Sequence, residues 1–293
     1  MHTYLESIGF ARVRKRSDVD RLIHDTVYHH DEKAVFESES GVVMAEFKKQ
    51  YAPGMGIAVC GEVEKESNFH PEFYFPYFYG ETVSTEQPVG FERHAGDESY
   101  AGACDDPRMG ATIIFYLNNT AQLRRAPDRD AEFVSRPVRL SALAKEGTIL
   151  IPLSPSLREE GGGSAQAERN RLLAQARGGD EKAIERLTME ELNSYDYLSR
   201  RMRSEDVFSI VESSLVPYGV ECDQYSVLGT IFSCDRVRNV VTGEHIYRLG
   251  LEVCEIRLEV CINEDRVYGE PAVGRRFRGL IWLQGNVKFD RLA

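Results

Sequence analysis

Three stretches of this 293-residue chain bring together side chains with the means to do chemistry. In His24-Asp25-Thr26-Val27-Tyr28-His29-His30, Asp25 and His29 stand four apart, so on a helix both would face one metal ion or one substrate proton. They are the best metal candidates in the chain, yet no metal site is assigned. His24 and His29 are five apart and fall on different helix faces, whereas the metalloprotease pattern pairs histidines four apart around a glutamate. A histidine near a helix C-terminus is also favourable with the dipole alone.

Cys104-Asp105-Asp106, with His94 and Asp97-Glu98 upstream, holds the residue types of a thiol nucleophile with its base, or of an acidic metal site. No motif organises them. Two aspartates before Pro107 are what a turn wants, and that structural reading leads.

The third stretch, residues 69–80, packs seven aromatics into twelve positions. On a regular strand Phe69, Phe73, Phe75, Tyr77 and Tyr79 share one face, and His70, Glu72, Tyr74 and Phe78 share the other. Both faces are apolar, so the strand is either covered on two sides as core or forms a pocket wall. In the pocket reading His70, Glu72, Tyr74, Tyr77 and Tyr79 are the ligand-binding residues. Pro71 and Pro76 argue against a central strand and for an edge or bulged one.

A last cluster, Arg275, Arg276 and Arg278 beside Phe277 and Trp282, mixes basic and aromatic groups as single-stranded nucleic-acid sites do. From Glu221 to Ala293, however, acids outnumber bases by one, so no positive stripe runs through this part. Arg276 and Arg278 read instead as the solvent face of a half-buried strand, with Trp282 anchoring a small core; Arg276, Arg278 and Trp282 are kept as interaction candidates. Gly274, Gly279 and Gly285 signal sharp curvature or close backbone approach. The chain contains no Gly-x-Ser-x-Gly elbow, phosphate-binding loop, dinucleotide fingerprint or His-Glu-x-x-His, so no catalytic residue and no cofactor is assigned.

The elements that must position these groups follow from periodicity. Tyr4, Leu5 and Ile8 predict a short opening helix stopped at Gly9. Ser17 as cap and the stripe Val19, Leu22, Ile23 and Val27 predict a second helix to about Tyr28. From Ala34 to about Leu153 strands and turns alternate, predicting one largely antiparallel sheet. Charge and glycine at residues 158–165 read as a flexible linker. A short helical array follows, including a helix capped by Asp180. Five strands between Tyr225 and Val287, the last two a closing pair in Gly274–Val287, then predict an OB-like or partly closed β-barrel. The fold class is therefore α+β, with an α+β domain at 1–157, the linker at 158–165, and helices plus a β domain at 166–293.

Composition bounds the rest. At 42% apolar and 28% charged residues the chain falls in the folded range, and a net charge of −11 disfavours nucleic acid and anionic lipid as partners. No apolar run is long enough to span a membrane, and the first residues lack a signal-peptide pattern. Six scattered cysteines without zinc or redox spacing read as small buried hydrophobes in a reducing cytoplasm. The segments Tyr218–Gly229, Gly269–Gly279 and Ile281–Gly285, together with Tyr74-Phe75-Pro76-Tyr77 and the stretch Arg177 to Asp206, resemble an uncharacterised bacterial family, a domain of unknown function, along the full length. The resemblance implies a bacterial cytoplasmic protein and brings no activity or site residue. The expectation is a non-enzymatic binding or interaction protein, with a protein partner or a second copy of itself. The alternative is a small-molecule binder or enzyme with an aromatic pocket near residues 70–79.

Overall fold

The computed structural model describes residues 4–38, 40–64, 68–94, 98–125, 137–152, 213–220 and 222–289, with isolated positions between 172 and 211. One α-helix leads the fold, not two. Leu5–Ile8 form a single 3-10 turn closed by Gly9, whose φ of 85° is the left-handed cap geometry. Four residues are too few to nucleate an α-helix, and here tertiary contacts hold the turn. Tyr4, Leu5, Ile8 and Phe10 are all buried, and Ser7 Oγ donates to the Ala144 carbonyl at 2.9 Å. Helix α1 then spans Arg16–Tyr28 and carries the predicted stripe, but it starts before Ser17, with Lys15 at the cap position and no side-chain cap bond.

The strands form two sheets rather than one. In the first, β1 (Glu32–Glu37), β2 (Val43–Ala52), β3 (Met55–Val63) and β4 (Phe69–Phe78) make an antiparallel meander in sequence order. In the second, β5 (Val89–Arg93), β6 (Tyr100–Asp105) and β7 (Thr112–Leu117) form a wing, followed by a short helix α2 (Thr120–Arg125). The wing joins a barrel built from β8 (Val138–Leu150), β10 (Gln224–Arg238), β11 (His245–Val253), β12 (Ile256–Asn263) and β14 (Arg276–Val287). Two short strands, β9 (Ser214–Pro217) on β10 and β13 (Val267–Tyr268) on β8, complete it.

Closure of the barrel depends on β8. It pairs antiparallel with β14 along one edge and parallel with β12 along the other, while β12, β11, β10 and β14 follow in hydrogen-bonded order. The expected closing pair within Gly274–Val287 is thus a single strand, and the fifth stave comes from 138–150. The long separation in sequence is the reason: local pattern identifies a strand but not its neighbour. The linker expected at 158–165 and most of the helical array lie outside the described residues. What is described is that β8, from before that stretch, shares a barrel with β12 and β14, from after it. Asp180 does accept from the amides of Lys182 and Ala183, at 3.0 and 3.4 Å, as a cap.

Leu140, Val227, Leu251, Leu258, Phe277 and Leu283 belong to one fully buried cluster of the barrel core. At Gly285 β14 runs so close to the wing that a Cβ would overlap the Phe115 ring, which is why glycine stands there. A second core lies between the barrel and the first sheet. It contains Trp282, Tyr116, Leu143 and Cys261 from the barrel side and Phe75 and Tyr77 from the sheet. No helix among the described residues is long and apolar enough to cross a membrane.

Candidate functional site

Strand β4 is an edge strand with a bulge, as its prolines require. The order β1-β2-β3-β4 leaves it outermost, and the register slips so that Cys60 faces Phe73 while Gly61 faces Pro71, leaving Glu72 as the extra residue. That slip changes the side-chain parity. Phe69, ahead of the bulge, therefore leaves the face shared by Phe73, Phe75, Tyr77 and Tyr79, and meets Phe47 edge-on at 4.8 Å. The last part of the edge is closed by the barrel. Gln284 donates from Nε2 to the Pro76 carbonyl at 2.9 Å and accepts from the Phe78 amide at 3.0 Å, and Asn118 Nδ2 donates to the Phe78 carbonyl. Proline at 76 has no N–H to leave unpaired, so the edge is satisfied there. The opposite edge, β1, is closed by Arg124 on the Glu37 carbonyl and Arg125 on the Val35 carbonyl.

The five residues expected to line one pocket are divided by this geometry. Glu72 and Tyr74, with Asn68, Phe69 and Pro71, line one wall of an open groove of about 1110 Å³; α1 forms the other through Arg16, Val19, Asp20, Ile23, His24, Val27 and Tyr28. Phe47 and His30, whose rings meet at 5.0 Å, complete the lining. His70 lies outside the groove and forms an exposed pair with Glu64 at 3.4 Å, a contact that contributes little.

Tyr77 and Tyr79 turn to the other face of the sheet. Their rings are 4.7 Å apart and lie 5.9 and 5.5 Å from the Lys48 ammonium. Lys48 Nζ donates to Glu46 Oε1 at 2.8 Å and to the Asn118 carbonyl at 2.7 Å. Burial works against the lysine charge, but the neighbouring Glu46 carboxylate outweighs it and holds the ammonium protonated well above the ordinary lysine range. Burial likewise raises the Tyr79 hydroxyl, so it stays neutral. Glu46, Lys48 and Tyr79 form the floor of a smaller chamber of about 290 Å³, with Glu32, Lys33, Gln122 and Arg125 around it. Sequence reading missed this pair. Its signal was two opposite charges two apart on a strand, which also fits a solvated face.

The other candidates are engaged structurally. Asp25 does meet His29, at 2.9 Å, but it also accepts from Lys49 at 2.8 Å and from the Tyr51 hydroxyl at 2.9 Å. Burial raises its pKa, and the bonds from Lys49 and Tyr51 more than reverse that, so the carboxylate is already neutralised by a lysine. Cys104 is buried, and burial with the Asp106 and Asp105 charges pushes its thiol up to about 11, away from nucleophilic use. Asp106 grips Arg108 in a two-pronged bond, 2.9 and 2.6 Å, and Arg108 reaches the carbonyls of Ser84 and Glu255. The turn reading of this segment fits these bonds.

Arg276 corrects the expectation of a solvent-facing strand. It is 4% exposed, and its guanidinium donates to the carbonyls of Ile151 and Val211. Arg278 is exposed. Trp282 is buried outside the barrel interior, against Tyr4 and Tyr116 at 5.6 and 5.0 Å, and its Nε1 donates to Asp223 Oδ2 at 2.7 Å. It anchors the junction between barrel and sheet.

Fold and site define a closed five-stranded β-barrel with a four-stranded sheet packed on it and an open, partly apolar groove on the far side of that sheet. The chain belongs to the family described as "Domain of unknown function, E. rectale Gene description (DUF3881)", whose model matches residues 5–285. No curated protein and no solved structure matches the chain.

Proposed function

We propose that this chain is a binding protein that acts by recognition, and that the groove between α1 and β4 is its recognition surface. The observation that carries this reading is the groove itself: an apolar floor of Val19, Ile23, Val27, Phe47 and Phe69, with polar groups at intervals along it. Concave surfaces of this make-up are where ligands bury apolar area while a few polar contacts set orientation. The engagement of Asp25 and Asp106 in structural bonds, and the burial of the Cys104 thiol, support recognition over catalysis. The net charge of −11 supports a partner other than nucleic acid. A photo-crosslinking side chain placed at Tyr28 inside the native cell should trap a recurrent species that the same group at Arg257, on the barrel, does not. Equal or absent adducts at the two positions would remove the reading.

A second reading rests on the chamber above Glu46 and Lys48. A desolvated ion pair rarely improves stability over an apolar replacement, so its place on the floor of a chamber favours a small polar ligand there. A metabolite panel screened by thermal shift against wild type and Gln122→Trp, which would fill the chamber, tests it. Identical profiles would count against this second site.

A further inference from the structure

The groove has one strongly charged end. Arg12, Arg14, Lys15 and Arg16 stand within five consecutive residues that contain no acid, in a chain whose net charge is −11. All four are exposed, and among the described residues none of them forms an ion pair. Arg16 lines the groove directly, and the other three lead into it along the chain. Asp20 and Glu72 line the same groove, so its lining carries one cation against two acids, and the excess positive charge at this end comes from Arg12, Arg14 and Lys15 immediately ahead of Arg16 in the chain. His24 and His30 add charge only when protonated. Unpaired cations beside an apolar floor are complementary to a ligand that is both acidic and apolar.

Two features favour a peptide over an acyl chain. The groove is open along its length rather than enclosed, and Asp20, His24, Asn68 and Glu72 interrupt its apolar lining. Peptide amides and carbonyls would meet those groups with hydrogen bonds, whereas a hydrocarbon chain would desolvate them without return. We propose that the groove receives an acidic peptide segment of another protein, its aromatic or aliphatic side chains on the Ile23, Val27 and Phe69 floor and its carboxylates toward Arg12, Arg14, Lys15 and Arg16. This inference rests on the groove being the recognition surface.

The test is selection of a random nonapeptide display library on the full chain. Parallel selections use Arg12→Gln/Arg14→Gln/Lys15→Gln/Arg16→Gln and Ile23→Asn, with Val27→Thr as a milder groove variant and an unfolding transition as the folding check for each. Enriched peptides should combine Asp or Glu with Phe, Leu or Trp. Measured by fluorescence anisotropy as synthetic peptides, they should weaken about tenfold or more on the fourfold variant and lose affinity steeply with added salt, as charge-steered contacts do. Enrichment of apolar peptides without acids, still lost on Ile23→Asn, would overturn this inference and leave the groove reading intact. Enrichment unaffected by either groove variant, or no enrichment, would overturn both. Tighter binding to phosphatidylglycerol vesicles than to any selected peptide, lost on the fourfold variant, would overturn the peptide as occupant.

Discussion

Glu46 and Lys48 stand two apart on β2, point to the same face of the sheet and form a 2.8 Å ion pair with side chains only 4% and 5% exposed. Removing one partner of such a pair leaves an uncompensated buried charge. Lys48→Met should therefore lower the unfolding free energy by roughly 3–5 kcal/mol, and Glu46→Leu/Lys48→Met should recover most of that loss. Urea unfolding of the three proteins measures both effects; a Lys48→Met cost below about 1 kcal/mol would contradict the geometry.

Asp106 gives stability a definite pH dependence. Burial raises its pKa, but the two-pronged bond from Arg108 outweighs this and the net shift is downward. A carboxyl with a folded pKa below its unfolded value stabilises above the unfolded value, about 3.9, and that contribution is lost as pH falls through the folded one. Asp106→Asn should cost about 1–3 kcal/mol at pH 7 and progressively less below pH 4. Unfolding curves of wild type and variant from pH 3 to 7 should converge toward acid; parallel curves would argue against the bond.

Trp282 is the sole tryptophan, so fluorescence excited beyond the absorption of the 14 tyrosines reports the barrel–sheet junction. Its emission should be blue-shifted in the native state and should move red in Tyr4→Ala or Asp223→Ala, each of which removes one contact of the indole. Trp282→Ala should cost roughly 3–5 kcal/mol. An emission maximum that is solvent-like before denaturation would place the indole elsewhere.

Thiol reactivity should separate the cysteines by burial. Cys222 is exposed, while Cys60, Cys104 and Cys261 are buried, and burial raises the thiols of Cys104 and Cys261. With a disulfide reagent at pH 8, Cys222 should react first and the three buried thiols only at the rate of unfolding. Cys222→Ser should abolish the fast phase. A fast phase that survives it would mean that one of the other cysteines is open to solvent.

Along the chain, the residues determined what depends on near neighbours. The apolar spacing Val19, Leu22, Ile23 and Val27 required a helix, Pro71 and Pro76 required an edge or bulged strand, and aspartates before Pro107 required a turn, because caps, turns and side-chain period act within a few residues. Tertiary structure decided what depends on pairing across long separations. It chose β8 as the fifth stave, drew the Trp282 ring to the sheet, buried Arg276 and brought Lys48 under Tyr79. One residue tied the two levels together: the bulge at Glu72 reversed side-chain parity along β4, and a period of two read along the sequence carries no mark of where such a slip falls. The aromatic stretch was legible as important. That it serves a groove on one face and a buried ion pair on the other was fixed only when β3, α1 and the barrel packed around it.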